Sequence, residues 1–563
     1  MKNRKLLITV AVAAVLTVWF VPSGPAANIA VTNAALNYRD TAAGQRFVQF
    51  DVQWDASWRA AWTYTNNTPT VVTNSVTNWD AAWIFVKYRL AGSTSEWSHA
   101  TLSTNSSDHQ SPAGSTISVG LSTNAGGTNF GVGVFLYHSA EASGSWTNRG
   151  VKLRWQYGID GVGRESRVDV CVHAIEMVYV PQGSFYLGDG NISSGSGTNF
   201  ACQFEDGQFT NAFLVTNDNY IIYLGGGTNG NLGNNNNEGV AGTTTDDFNN
   251  VIGQILPAPF PKGYSAFYCM KYEISQGQYK DFLNSLSRAQ QVNRVASTNA
   301  SYFAMAGCST TNHHIFSANV RGNGICTPSN VPPSAPITFG CDFNTNGIFD
   351  EANDGQTLAG SFLNSADGAA YADWAGLRPM TELEFEKACR GPLSPVTNEC
   401  AWGAPQITPN STANTIMTAV GVWGSGTEST SSPTNHHDLG GNIVGSVRCG
   451  IFATASSGRI DAGASYWGIM EMSGNLFEVL LTVGRPDGRV FTGTHGDGKL
   501  TSVGTADVPS WPSGTVGIGY RGGGWNGYPR HMSVSDRYWA SAGFGRGISA
   551  GMRAVRLDPG VNP

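Results

Sequence analysis

Few side chains in this 563-residue chain stand at spacings that chemistry requires, and most of those that do are oxygen donors. The segment Cys341-Asp-Phe-Asn-Thr-Asn-Gly-Ile-Phe-Asp-Glu351 sets Asp342, Asn344, Asn346, Gly347 and Asp350 at positions 1, 3, 5, 6 and 9 of a calcium loop. Oxygen ligands at alternate positions can wrap one hard cation, and the glycine permits the sharp turn. Asn353 stands where such loops carry a bidentate Glu, and Asp354 could take its place. The alternative is an Asx-rich turn whose side chains cap their own backbone. His313-His314 and His436-His437-Asp438 invite a metal reading, but adjacent side chains diverge, and Asn- and Ser-rich surroundings point to solvated loops. No phosphate-binding loop occurs.

The elements that must position these groups are mostly strands. Residues 46–54, 82–88, 131–137 and 151–157 alternate apolar and polar side chains between clusters of Gly, Asn, Ser and Thr. That pattern predicts an antiparallel β-sandwich over residues 28–173. Trp54, Trp58, Trp79, Trp83 and Trp97 read as core and edge packing in preference to a sugar-stacking face. Residues 168–175 form the strand leading out of this module into a second domain, 174–563, with little linker. An Asn/Gly-rich insertion near 222–249 interrupts that domain and is too polar to build a core. Two helix starts are legible as capping boxes, Ser275 with Gln278 and Thr381 with Glu384, each followed by an apolar face. Pro379 disfavours helix at Arg378 and sharpens the second boundary.

Composition limits the partners. Lys2, Arg4 and Lys5 precede an apolar run and the small residues Gly24-Pro-Ala-Ala27, the pattern of a signal peptide over residues 1–27. The mature chain is therefore expected to be secreted, periplasmic or on the cell surface, with no membrane span after cleavage. Only 13% of residues are charged and the net charge is −7, with no basic patch, which excludes nucleic acid as a partner. Nine cysteines in an exported chain permit local rings between Cys326 and Cys341 and between Cys389 and Cys400, and leave at least one thiol over.

A spaced series of motifs carries a family resemblance. It runs Met177-Val-Tyr-Val-Pro-Gln-Gly-Ser-Phe185, Tyr272-Glu-Ile-Ser-Gln-Gly-Gln-Tyr279, Arg378-Pro-Met-Thr-Glu-Leu-Glu-Phe-Glu-Lys-Ala-Cys-Arg390, Gly474-Asn-Leu-Phe-Glu478, Arg521-Gly-Gly-Gly-Trp525 and Gly551-Met-Arg553. This order resembles the formylglycine-generating enzyme (sulfatase-modifying factor) family, over about residues 174–557. The resemblance implies an α+β chain in which a C-type-lectin-like domain follows the antiparallel β-sandwich. It also implies a structural calcium held by the side chains of Glu471 and Glu478 and the carbonyls of Gly474 and Leu476. A second calcium position of the family maps near Asn414.

Members that oxidise sulfatase cysteines hold copper(I) on two thiols shortly after Arg-Gly-Gly. Here those positions are Gly527 and Met532, and the last cysteine is Cys449, so neither that oxidation nor copper is expected. Iron-dependent relatives build a three-histidine site partly on an added helical domain, which this chain lacks. In some exported relatives the segment after Arg-Gly-Gly is a variable ligand-binding surface. Here it holds Trp525, Asn526, Tyr528, Arg530, His531, Asp536, Tyr538, Trp539 and Arg546, rich in the side chains that give large contact area with few rotatable bonds. Arg521, Arg537 and Arg553 read as internally bonded structural residues. The leading expectation is a calcium-stabilised, non-catalytic binder of an extracellular protein or glycan. The alternatives are an oxidoreductase of the family with a changed active site and a cell-surface structural component.

Overall fold

The computed structural model describes residues 28–560, apart from 67–71, 125, 191–202, 209–210, 226–227, 235–253, 300–301, 306–314, 318–319, 322, 328–333, 406–418, 421–422, 431–444, 455, 513, 528 and 544. The expected signal peptide, most of the Asn/Gly-rich insertion, both histidine pairs, Asn414 and Tyr528 lie outside the described residues. No helix among the described residues is long and apolar enough to cross a membrane.

Eight strands come first: β1 (Ala30–Asp40), β2 (Gln45–Asn66), β3 (Val72–Leu90), β4 (Ser98–His99), β5 (Ser115–Thr123), β6 (Asn129–His138), β7 (Ala142–Trp155) and β8 (Val168–Val180). β3 is the element on which the others depend. Its middle is apolar at almost every position, not alternating as expected, because both of its faces are buried. Ala82, Ile84, Val86 and Tyr88 enter a core with Phe50 and Trp54 of β2 and Leu153 and Trp155 of β7. Ala81, Trp83 and Phe85, on the opposite face, enter a core shared with the C-terminal half. Glycines make room for the largest of these rings. A Cβ on Gly133 would lie 2.6 Å from the Trp83 ring, and one on Gly120 2.5 Å from it. Lys87, the polar exception, is fully buried and donates from Nζ to the carbonyl of Gly498 at 2.7 Å.

The sheet continues through the middle of the chain. β8 pairs antiparallel with β3 from Leu90↔Val168 to Asp80↔Val178, and its residues 177–180 also pair with Phe267–Met270. That strand pairs with Ala554–Leu557, which in turn pairs with Arg378–Pro379, giving one sheet of eleven strands. The boundary expected between residues 173 and 174 falls inside β8. A buried ion group pins the junction: Lys271 Nζ lies 3.0 Å from Glu176 Oε2 and 3.3 Å from Asp80 Oδ2. Asp80 also accepts from Trp54 Nε1, Ser57 Oγ and the amide of Trp58.

The C-terminal half adds small sheets, parallel and antiparallel, and short helices, so the chain is α+β with extensive mixed sheet. Its described helices are α1 (Gln276–Asn284), α2 (Arg288–Arg294), α3 (Ser365–Trp374), α4 (Glu382–Arg390) and α5 (Pro486–Arg489). α1 and α4 start with both reciprocal bonds of their capping boxes in place. Gly391 ends α4 at φ +70°, where a Cβ would lie 2.4 Å from Tyr466. The free thiols of Cys341 and Cys389 leave both expected cysteine rings open.

α4 is charged on the face it buries. Glu382 Oε2 lies 3.0 Å from Arg521 Nη1 and 2.8 Å from Arg537 Nε, and Glu386 Oε1 lies 2.6 Å from Arg521 Nη2. Glu384 closes the capping box and also accepts from Arg378 Nη1 at 2.8 Å. Burial alone would raise the Glu382 carboxyl, but Arg537 and Arg521 outweigh it and hold the group below its ordinary value. Removing one member of such a group strands the others uncompensated, at a cost of about 3–5 kcal/mol. Glu382→Ala is therefore expected to lower the denaturation free energy by roughly that amount. A loss under about 1 kcal/mol, no more than an exposed pair contributes, would show that the arginines find other partners.

Candidate functional site

The strand Phe477–Leu481 pairs antiparallel with Ile518–Arg521 and parallel with Ala550–Gly551. Side chains alternate across a strand, so Phe477 and Glu478 face opposite ways. After Arg521 the chain turns through Gly522 (φ +83°) and Gly523 (φ +74°). A Cβ on Gly522 would lie 2.6 Å from the carbonyl of Met472, and one on Gly523 2.9 Å from Met532. Only glycine fits this turn.

Beyond the turn, a cavity of about 450 Å³ opens between these strands and the residues that follow. Its rings are Phe477, Tyr520, His531 and Trp539; Asn526, Arg546 and the backbone of Gly527 and Ile548 complete the wall. His531 is buried, and its Nδ1 lies 3.1 Å from Asp536 Oδ1, which also accepts the amide of Tyr538. Arg546 is fixed from below. Its Nε and Nη2 lie 2.7 and 2.8 Å from the carboxylate of Asp367, the capping-box residue of α3.

Of the residues expected to bind ligand, Asn526, His531, Trp539 and Arg546 thus meet at one cavity. Trp525 is buried instead with Tyr272, Met470 and Leu476, its Nε1 donating to Ile548 O at 3.1 Å. Asp536 is buried behind His531. Arg530 sets its guanidinium 5.0 Å from the half-buried ring of Tyr538. Phe477 and Tyr520 were missed as wall residues. Phe477 lies in a motif read for its carboxylate, and Tyr520 just before one read for its glycines.

Three carboxylates gather behind the same strand. Glu478 pairs with Arg553, Glu471 Oε1 accepts the amide of Gly450 at 2.7 Å, and Glu273 accepts from Asn475 Nδ2 and the amide of Leu476. All three glutamates are buried, yet Glu471 Oε2 and Glu478 Oε2 have no hydrogen-bond partner among the described residues. Burial pushes the Glu471 carboxyl up to about 7 and raises those of Glu273 and Glu478. Unmet carboxylate oxygens in excess of the local positive charge are what a hard cation would satisfy.

The loop from Asp342 to Asp354 folds tightly. Asn346 and Ile348 donate their amides to the side chains of Asn344 and Asn346, and Asp350 accepts from Cys341 N and Lys280 Nζ. Asp354, raised by burial, stands beside Asp342 and Glu351. A further group was not legible: carboxylate oxygens of Asp373, Asp497 and Asp507 lie within 4.8 Å of one another and could hold a metal ion. Asp373 accepts the amides of both Asp497 and Asp507, and burial pushes its carboxyl up to about 8.

Residues 240–557, more than half of the chain, match the sulfatase-modifying factor enzyme 1-like domain. The chain belongs to this family. Among curated proteins no relative matches it. Within the family this chain is divergent. Gly527, at the first cysteine position, lines the cavity, while Met532, at the second, is buried against Cys400 and Trp402.

The raised Glu471 carboxyl fixes a pH dependence. The folded chain holds this proton more tightly than the unfolded one, so the contribution to stability is full below about 4.5 and is lost as pH rises through about 7. In chelator, Glu471→Gln is expected to stabilise the chain at about pH 8 by on the order of 2 kcal/mol and hardly at all at about pH 5. Thermal melts at the two pH values measure this; equal effects at both would remove Glu471 as the source.

Proposed function

We propose that this sulfatase-modifying-factor chain is an exported, calcium-stabilised binding protein. In this reading its C-terminal half has the C-type-lectin-like form of the family, and residues 28–173 form a β-sandwich. The observation that carries the reading is the cavity after the Arg521-Gly-Gly-Gly-Trp525 turn. Aromatic rings, one imidazole and one anchored guanidinium wall it, and no thiol is among its lining residues. Rigid rings with a few directed polar groups suit recognition of a protein loop or a glycan. Oxidation of a cysteine through copper(I) would need thiolates that neither Gly527 nor Met532 offers.

Calcium fits the donor set. Glu471 and Glu478 carry the unmet buried oxygens, and Gly474 and Leu476 lie on the loop between them. The ion would supply charge compensation at the back of the strand that carries Phe477, holding the cavity wall in place. Asp342, Asn344, Asn346 and Asp350 form a second candidate loop.

Elemental analysis of the purified chain is expected to find bound calcium. Excess calcium should raise the thermal midpoint more at about pH 8 than at about pH 5, because the cation keeps Glu471 ionised. Stoichiometric copper or iron would replace this reading with an enzymatic one. Ligands found by screening extracellular proteins and glycans should bind Trp539→Ala about tenfold or more weakly, with the fold retained. Undiminished binding by that variant would move recognition away from this cavity.

A further inference from the structure

A second cavity, about 560 Å³, lies where the N-terminal strands meet the C-terminal half. One wall is the β3–β4 connection and the ends of β5 and β6; the other comes from α1 to α3 and residues 498–507. We propose that this cavity is a binding site for a neutral or amino saccharide.

Its volume is in the range of small-molecule sites, roughly 300–1,000 Å³. Three kinds of lining group point to the ligand class. Rings come first: Trp97 and Phe130, both half-buried, present apolar surface suited to the C–H faces of a sugar. Trp97 is held from both sides of the seam, its amide donating to Ser285 O at 2.9 Å and the Arg89 guanidinium lying 4.4 Å from its ring. Amides follow. Asn124, Asn129 and Gln156 can donate and accept, as hydroxyls require. Charges decide the rest. Glu96, Asp160 and Asp507 line the cavity against Lys499 alone, a balance that repels carboxylated or sulfated sugars and tolerates an ammonium.

Two buried polar atoms in residues of the cavity wall lack a partner among the described residues. His99 Nε2 lies 2.6 Å from the carbonyl of Val132, which can only accept, so Nε2 carries the proton and Nδ1 is an acceptor. No donor meets that Nδ1 in the protein. Trp374 Nε1, a donor, likewise has no acceptor. Both residues line the cavity and both are more than nine-tenths buried. Gly498 packs directly against that nitrogen: a Cβ there would lie 2.1 Å from His99 Nδ1.

The test uses the full mature chain on a printed array of neutral, amino and acidic glycans, with Trp97→Ala, Asn129→Ala and Trp539→Ala beside it. Asn129 is exposed, so its variant keeps the test meaningful should Trp97→Ala fail to fold. The expected result is a set of neutral or amino glycans, separate from any lost in Trp539→Ala, whose binding falls about tenfold or more in Trp97→Ala and severalfold in Asn129→Ala. Any of four results would overturn the proposal: no glycan bound, binding confined to acidic glycans, indifference to both seam variants, or loss only in Trp539→Ala. The last would place sugar recognition at the first cavity and so support the function proposed for it.

Discussion

The C-terminal half is organised by the burial of like charges on one helix and the arginines this demands. Glu382 and Glu386 stand one turn apart on α4, fully buried, and both reach Arg521. Carboxylates out of water are tolerated only when paired and hydrogen-bonded. The strand Ile518–Arg521 and the loop carrying Arg537 must therefore arrive together with α4. Once Arg521 is fixed, the glycine turn after it is fixed too, and with it one wall of the cavity at Trp539.

One strand then serves two purposes. The alternation of Phe477 and Glu478 puts a ring in the cavity and a carboxylate against Arg553 on the far side. Glu478 belongs with Glu471 and Glu273 to a buried acidic group with one arginine at its centre.

Much of this was legible in residue patterns. The capping boxes at Ser275 and Thr381 act within four residues, and local hydrogen bonds decide them. The arginines at 521, 537 and 553 were read as structural, and each is bonded inside the protein. Other features were hidden for physical reasons. The apolar run of β3 does not say that its two faces serve different cores, because burial on both sides and burial in one large core look alike. Asp373, Asp497 and Asp507 are brought together by tertiary contact across more than a hundred residues, which no spacing rule can reach. The wall residues Phe477 and Tyr520 sat beside motifs whose chemistry drew attention elsewhere, and the depth of Trp525 was set by packing under Ile548.

The sheet that crosses the middle of the molecule also dictates an order of events during synthesis. Ala554–Leu557 lies between Phe267–Met270 and Arg378–Pro379, two segments made long before it. Until residues 554–557 emerge, the growing chain carries an open slot with unpaired backbone on both sides, a template for any extended segment nearby. Closing that slot must await Ala554–Leu557: a polypeptide without this strand cannot seal its own sheet.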